Sequence, residues 1–345
     1  MFDYRSRPEE LMTPDVMSMV SAKHEYRGKQ ELHRSTKPNV LDKLCEVAII
    51  QSTAASNRIE NIKTSDKRLR DILAEKIEPK NRDEREIAGY RYVLDMIHMQ
   101  YEHIPIAPNV IIQFHRDLYR QLDSAFAGNW KDSDNQIQEQ RTDGTMAVRF
   151  QPTSAAGTPA AIETLCNEYD SAIKLGKYDP LILSAMFVFD FVSIHPFIDG
   201  NGRMSRLLTL LLLYKSNYLV GKYISIEHEI EKTKSTYYEA LGASSSGWHT
   251  GENDYLPFVS YLLGVELTCY KTLDMRMEAA VGSSAEEMIR AFFESYLGAA
   301  SKREITDACP TVSSRTTERV LKKLQDEGYI EKIGAARSTR YRRIG

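Results

Sequence analysis

The polarity pattern of the chain is sharpest between residues 181 and 215. From Leu181 to Ile194 the run LILSAMFVFDFVSI is apolar almost all round, and RLLTLLLLY, from Arg206 to Tyr214, has the same character. At these lengths both read as helices buried on every side, without the polar stripe of a surface helix. Neither reaches the roughly 18 apolar residues of a membrane span, and Arg206 and Lys215 flank the second. Between them lies HPFIDGNGRMSR, residues 195–206, which holds a histidine, a carboxylate, two glycines, an asparagine and two arginines. Each charge left unpaired beside such a core costs several kcal/mol, so the pattern predicts that something charged binds at this loop.

The loop's own residues narrow the choice. Pro196 biases His195 away from helical torsions, so the first helix should stop at the histidine. Gly200 and Gly202 bracket Asn201, a sequence that readily takes the positive-φ turns that gather backbone N–H groups into one concavity. A second helix starting near Arg203 adds its positive dipole end to this anion cradle. Arg203 and Arg206, three apart, are expected on one face, offering two guanidiniums to phosphate oxygens. Asp199 is placed to hold a Mg²⁺ ion bridging those oxygens. His195 is suited to accept a proton from an attacking hydroxyl. A cradle, a metal site, a clamp and a base are the parts of nucleotide phosphate transfer.

Position for position, residues 195–206 match HxFx(D/E)GNGRxx(R), and on that motif the chain resembles Fic-domain proteins, which usually transfer AMP from ATP to a protein hydroxyl. The resemblance implies that His195 is the general base, Phe197 anchors the loop, Asp199 binds magnesium, Gly200, Asn201 and Gly202 form the anion hole, and Arg203 and Arg206 contact the outer phosphates of ATP. The related Doc subgroup, which phosphorylates its target, has an altered glycine region; this chain keeps GNGR, which favours adenylyl transfer.

Two further stretches acquire meaning from the same resemblance. In STAASNRIEN, within an expected helix, Ser56, Glu60 and Asn61 fit (S/T)xxxE(G/N), the inhibitory helix of self-restrained relatives. Glu60 would then fork onto Arg206 and occupy the guanidinium that should hold the γ-phosphate. GNWKDSDNQIQ and MAVRFQP enclose the polar turn RTDGT, and the alternation around Asn135, Ile137, Val148 and Phe150 predicts a short hairpin. In relatives such a flap holds the target segment by strand addition. Tyr237 and Tyr238 follow in KSTYYEAL; by resemblance Tyr238 lies near the adenine, while Ser245 stands where many relatives supply an asparagine for the base.

Composition sets the frame. The 345 residues carry a net charge of −3 and 42% hydrophobic residues, ordinary for a globular protein of two or three domains. MFDYRSRPEE has no apolar signal core, and the cysteines at 45, 166, 269 and 309 make neither a zinc pattern nor a disulfide framework, so a cytoplasmic location is expected. Charge is uneven: residues 301–345 hold 11 Lys and Arg against 6 Asp and Glu. Residues 283–345 read as three helices and two short strands around a basic turn, an order like that of a winged helix-turn-helix. Ser313, Ser314, Arg315 and Thr316 open its third helix, and Arg337, Arg340, Arg342 and Arg343 furnish the wing, types suited to DNA.

The expectation is a mainly α protein: an N-terminal helical region with the inhibitory motif (1–105), a Fic helical core with a small β-hairpin flap (106–275) and a C-terminal winged helix-turn-helix (283–345). Its expected activity is self-inhibited AMP transfer from ATP, with Mg²⁺, to a Ser, Thr or Tyr hydroxyl of a protein target, the chain itself included. Two alternatives stand beside it: removal of AMP from the target with Glu60 positioning water, and a DNA-binding regulator whose Fic site senses nucleotide. No membrane partner is expected.

Overall fold

The structure is a computed structural model, and it describes residues 2–140, 146–282, 284–296, 298–309, 312–334 and 339–344. Helices dominate, and prolines and short polar caps start most of them. The helices α1 (Pro14–Thr36) and α2 (Pro38–Ile59) both open on proline, whose missing N–H is no loss in a first turn. Next come α3 (Asp66–Leu73), α4 (Arg82–Gln100) and α5 (Pro108–Leu118). The Asn81 side chain caps α4 by accepting the Glu84 N–H at 2.9 Å.

The hairpin follows, β1 (Ile137–Gln140) antiparallel to β2 (Met146–Phe150), with Ile137 opposite Phe150. Its expected turn, residues 141–145, lies outside the described residues. Asn135, expected in the first strand, precedes it. Then come α6 (Thr158–Leu175), α7 (Pro180–Ile194), α8 (Asn201–Lys215), α9 (Val220–Tyr223), α10 (Ile226–Lys232), α11 (Lys234–Ser245) and α12 (Leu256–Gly282).

The two apolar runs do form the centre: α7 and α8 pack on each other, and almost every residue of both is buried. One apolar core runs from Phe2 to Met277, so the helices on both sides of residue 105 share it and the expected boundary there separates no two cores. The helix α7 carries one buried carboxylate, Asp190, which accepts from Tyr4 Oη (2.7 Å), Trp248 Nε1 (2.8 Å) and Tyr255 Oη (2.9 Å). Burial pushes its pKa up to about 6, and the three donors offset that cost while fixing the N-terminal strap and residue 248 to the back of α7.

Past α12 a second core, Ile289 to Ile330, belongs to α13 (Ala285–Ser295), β3 (Ala299–Ser301), α14 (Lys302–Ala308), α15 (Ser314–Asp326), β4 (Ile330–Ile333) and β5 (Arg340–Arg343). Its sheet has the order β3-β5-β4, antiparallel throughout. The strand β3 was not expected: three residues are too few to leave an alternation in the sequence, and only pairing with β5 creates it. Gly328, at φ 72°, follows the end of α15. Among the described residues no helix is long and apolar enough to cross a membrane.

Candidate active site

The site is the junction of α7 and α8. The helix α7 stops at His195, which takes the left-handed conformation (φ 52°, ψ 60°) after its N–H donates to the Phe191 carbonyl at 3.1 Å. A non-glycine residue held there is strained, and the surroundings hold it. Asn135 Nδ2 donates to the Phe197 carbonyl at 3.1 Å, the Lys131 N–H donates to the Pro196 carbonyl at 2.9 Å, and Lys131 Nζ reaches the Ile194 carbonyl at 3.1 Å. Phe197 is fully buried and stacks on His115 (3.7 Å between centroids, 4° between planes). His115 in turn accepts the Gly128 N–H on Nδ1 at 3.0 Å, so its Nε2 carries the hydrogen that it donates to the Asp199 carbonyl, also at 3.0 Å. Burial lowers the His115 pKa to about 4, which keeps that tautomer neutral.

The imidazole of His195 is fixed the same way. Its Nδ1 lies 3.3 Å from the Val192 carbonyl, which can only accept, so Nδ1 bears the hydrogen and Nε2 presents a lone pair. Burial holds its pKa down, to about 4, with the nearby Lys131 ammonium adding to the shift. The Lys131 pKa is itself lowered to about 8 by burial.

The glycine turn opens α8 two residues earlier than expected. Gly200 is its N-cap at φ 84°, and the first helical bond is Met204 N–H to the Gly200 carbonyl at 2.9 Å. The N–H groups of residues 201, 202 and 203 therefore point out of the helix end, which is the expected cradle. Asn201 adds only its backbone there: its buried side chain closes the loop, accepting the Phe197 N–H at 2.9 Å and donating to the Phe197 carbonyl at 2.8 Å.

An anion already sits over this cradle, and it is Glu60. A Cβ built on Gly202 would collide with Glu60 Oε1, so only glycine leaves room for the carboxylate. Glu60 is the C-cap of α2, just past the helix in which it was expected, and Asn61 takes φ 61°, a conformation asparagine tolerates better than most residues. The turn is braced by Arg58, forked onto Glu231 at 2.6 and 2.7 Å, and by Lys234 Nζ on the Ile59 carbonyl at 2.7 Å.

The arginines depart from the expected geometry. Arg206 is 3% exposed and donates one bond to Glu60, Nη2 to Oε1 at 2.7 Å; the same Nη2 serves the Ser56 carbonyl at 2.9 Å, and Nε serves Ser56 Oγ at 2.8 Å. The expected fork is thus a single bond, and the Nη2 that makes it is shared with the Ser56 carbonyl. Arg203 is buried like Arg206, but its partners lie elsewhere. It is 1% exposed, with Nη1 2.6 Å from Glu86 Oε2 and Nη2 donating to Tyr119 Oη at 2.7 Å.

Asp199 stands at the rim, 45% exposed, accepting the Gly200 N–H at 2.6 Å on Oδ1 and facing Arg82 Nη2 at 3.1 Å through Oδ2. Among the described residues no three His, Cys, Asp or Glu side chains gather as a metal cage. A lone rim carboxylate fits a hard cation whose other ligands are phosphate oxygens and water, as for Mg²⁺ on a nucleotide, and does not fit a resident all-protein site. Tyr238 lies across the mouth, 36% exposed, with Arg149 of β2 5.7 Å from its ring; Tyr237 is buried.

Sequence reasoning missed His115, Lys131, Glu86, Tyr119, Arg82 and Arg149 as parts of this site and took Asn135 for a strand residue. Their partners lie 60 to 117 positions away in several cases, and no local pattern announces such a pairing. Arg337 lies outside the described residues; Arg340 and Arg342 are spent on Glu304 (3.6 Å) and Glu331 (2.5 Å), and Arg343 lies over the Tyr329 ring.

Residues 105–213 match the Fic/DOC family. The chain is 26% identical over 184 residues to the protein adenylyltransferase fic-1 of Caenorhabditis elegans, a stretch covering 52% of this chain and 32% of the relative. It is 38% identical over 76 residues, 21% of this chain and 53% of the relative, to a Fido domain-containing protein of Dictyostelium discoideum. The chain thus spans about a third to a half of the length of these relatives. A Fic family protein from Desulfovibrio desulfuricans has a similar fold over 97% of both chains (TM-score 0.62, 20% identity). Fic-1 from C. elegans is similar over 80% of this chain and 77% of its own (TM-score 0.61, 21% identity).

Proposed function

Given that residues 105–213 carry a Fic/DOC domain, we propose that the protein is a self-restrained adenylyltransferase that moves AMP from ATP to a Ser, Thr or Tyr hydroxyl of a protein target. The observation that carries this reading is the Glu60 carboxylate lodged between Gly202 and Arg206, an internal anion on the spot where an outer phosphate would bind.

In the active arrangement the α8 N–H groups and Arg206 receive the phosphate oxygens, and Mg²⁺ held through Asp199 would supply further charge neutralisation on those oxygens. Arg203, locked on Glu86 and Tyr119, keeps the first turn of α8 rigid and adds positive charge from beneath. His195 Nε2 accepts the proton of the target hydroxyl as its oxygen forms a bond to the α-phosphorus and pyrophosphate departs. The β1–β2 hairpin presents strand edges on which a target segment can pair. Glu60 restrains this by claiming Arg206.

The test is parallel incubation of α-labelled and γ-labelled ATP and Mg²⁺ with candidate proteins, comparing the parent chain with Glu60→Gly and with Glu60→Gly that also carries His195→Ala. Label on protein that depends on His195 supports the reading; label from γ-phosphate instead would replace it with phosphorylation, and release of AMP from pre-modified target, abolished by Glu60→Gly, would favour AMP removal.

We read the tail as a winged helix-turn-helix. Exposed Ser314 and Arg315 at the start of α15 are the observation that keeps DNA as its partner, while the acidic partners of Arg340 and Arg342 weaken the wing's charge.

A further inference from the structure

The body and the tail enclose a cleft between them, apart from the α7–α8 site. It holds about 900 Å³, in the upper range of pockets that take up a drug-sized organic molecule. The body supplies one wall, with Val40 of α2 and Met275 and Arg276 of α12; the tail supplies the other, with Ala291 and Phe292 of α13 and Cys309 after α14. Both walls are mainly apolar, and Met275 stands 62% exposed on the first.

The charges around the cleft are matched, with one exception. Asp307 faces Arg303 Nε at 3.3 Å, Glu304 accepts the Ser301 N–H at 2.7 Å, and Lys232 Nζ donates to Glu229 Oε1 at 2.7 Å. Arg276 is half-buried and makes no hydrogen bond or ion pair among the described residues. Cys309 acts on it from the tail but gives it no counter-charge: burial pushes the thiol pKa up to about 11, and Sγ donates to the Met288 carbonyl at 3.6 Å. On the body side, His228 Nδ1 is buried without a hydrogen bond, 3.6 Å from Glu231 Oε2. A guanidinium taken out of water without an anion is costly, and its planar fork of donors matches a carboxylate. A few convergent polar groups left open between apolar walls are the marks of a ligand site.

We propose that this cleft binds a small organic anion, a carboxylate carried on an apolar aromatic or alkyl body, with Arg276 forked onto the carboxylate and the two walls covering the body. The apolar lining selects against a bare inorganic ion, and the unmatched guanidinium selects against a neutral or cationic amphiphile. Because the walls belong to separate cores, the occupant ties the tail to the body.

The experiment uses the full parent chain without nucleotide, with 2-naphthoate as the probe and 2-naphthylmethanol as its neutral counterpart, both titrated by calorimetry. The acid should bind one to one and about tenfold or more tighter than the alcohol. Arg276→Met should weaken the acid by about 10- to 100-fold and leave the alcohol unchanged, and Arg276→Lys should recover part of the loss, a point charge replacing the fork. Ala291→Trp, at an exposed position of α13, should fill the cleft from the tail side and weaken both probes. Without ligand, Arg276→Met should melt no lower than the parent, since it removes a desolvated charge that no carboxylate holds. The site is overturned by a parent chain that binds no 2-naphthoate at millimolar concentration, by equal affinity for acid and alcohol, by unchanged affinity in Arg276→Met or Ala291→Trp, or by an Arg276→Met chain that melts lower than the parent. Nucleotide transfer uses other residues and stands or falls separately.

Discussion

Replacing Glu60 with glycine should raise AMP transfer, and the geometry sets by how much. The contact to be removed is one charge-assisted bond, Arg206 Nη2 to Glu60 Oε1 at 2.7 Å, between a guanidinium 3% exposed and a carboxylate 32% exposed. Bonds to charged groups contribute about 1.5 to 3 kcal/mol, and a single, partly hydrated one belongs at the lower end of that range. Converted to a rate, about 1.5 to 2 kcal/mol is roughly 10- to 30-fold in kcat/KM for ATP. A fork would have predicted more.

Controls separate charge from shape. Glu60→Gln keeps an oxygen for Nη2 but no charge, so its gain should be smaller, on the order of a few-fold. Gly202→Ala should expel the Glu60 carboxylate by collision and yet fail to activate, because the added methyl occupies the place where a phosphate would sit. Arg206→Ala should be inactive with or without Glu60, since the clamp is lost together with the lock's partner. The assay is initial-rate incorporation of α-labelled phosphate into protein, self-modification included, across a range of ATP at fixed Mg²⁺. A Glu60→Gly protein no faster than the parent at any ATP concentration refutes the argument and leaves Glu60 as a structural cap on α2.

Three other expectations follow from the same geometry. His195→Ala should reduce transfer by about 10² to 10⁴ with ATP affinity nearly intact, and the acid limb of kcat/KM, which reports the free enzyme, should fall well below 6.5 because burial holds the His195 pKa at about 4; a limb at 6.5 or above would remove it as the base. His98, His115 and His195 are all buried with lowered pKa values, so the unfolded chain takes up protons that the folded one refuses; their contribution to stability is full above pH 6.5 and lost as pH falls toward 4, and a melting temperature flat over that interval would contradict it. Arg82→Ala frees Asp199 Oδ2 from the neighbouring guanidinium and should lower the Mg²⁺ concentration for half-maximal ATP binding several-fold, as titration calorimetry would register; no change would place Arg82 outside the cation's competition.

Much of this protein is legible in one dimension. The two apolar runs that become α7 and α8 declare a buried pair of helices because hydrophobic burial needs no knowledge of the partner, only of the side chain's own surface. The stop at His195 and the turn at Gly200 are equally local: proline and glycine act on the torsions of themselves and their neighbours. Hence the loop and its cradle were within reach of the sequence, and Glu60 entered through a motif.

What the tertiary structure decided is where each charge goes. Arg203 and Arg206 share a helical spacing, yet one is consumed by Glu86 and Tyr119 and the other by Ser56 and Glu60, because α4, α5 and α2 happen to bring those groups to opposite claims on α8. The same holds for Lys131, Asn135 and His115, which tie down the loop through carbonyls more than 60 residues distant, and for Arg149 over Tyr238. A buried ionic or polar group is stable only with its partner, and the choice of partner depends on packing between segments far apart in the chain. Local torsions and hydrophobicity are properties of a residue and its neighbours; pairing is a property of the fold.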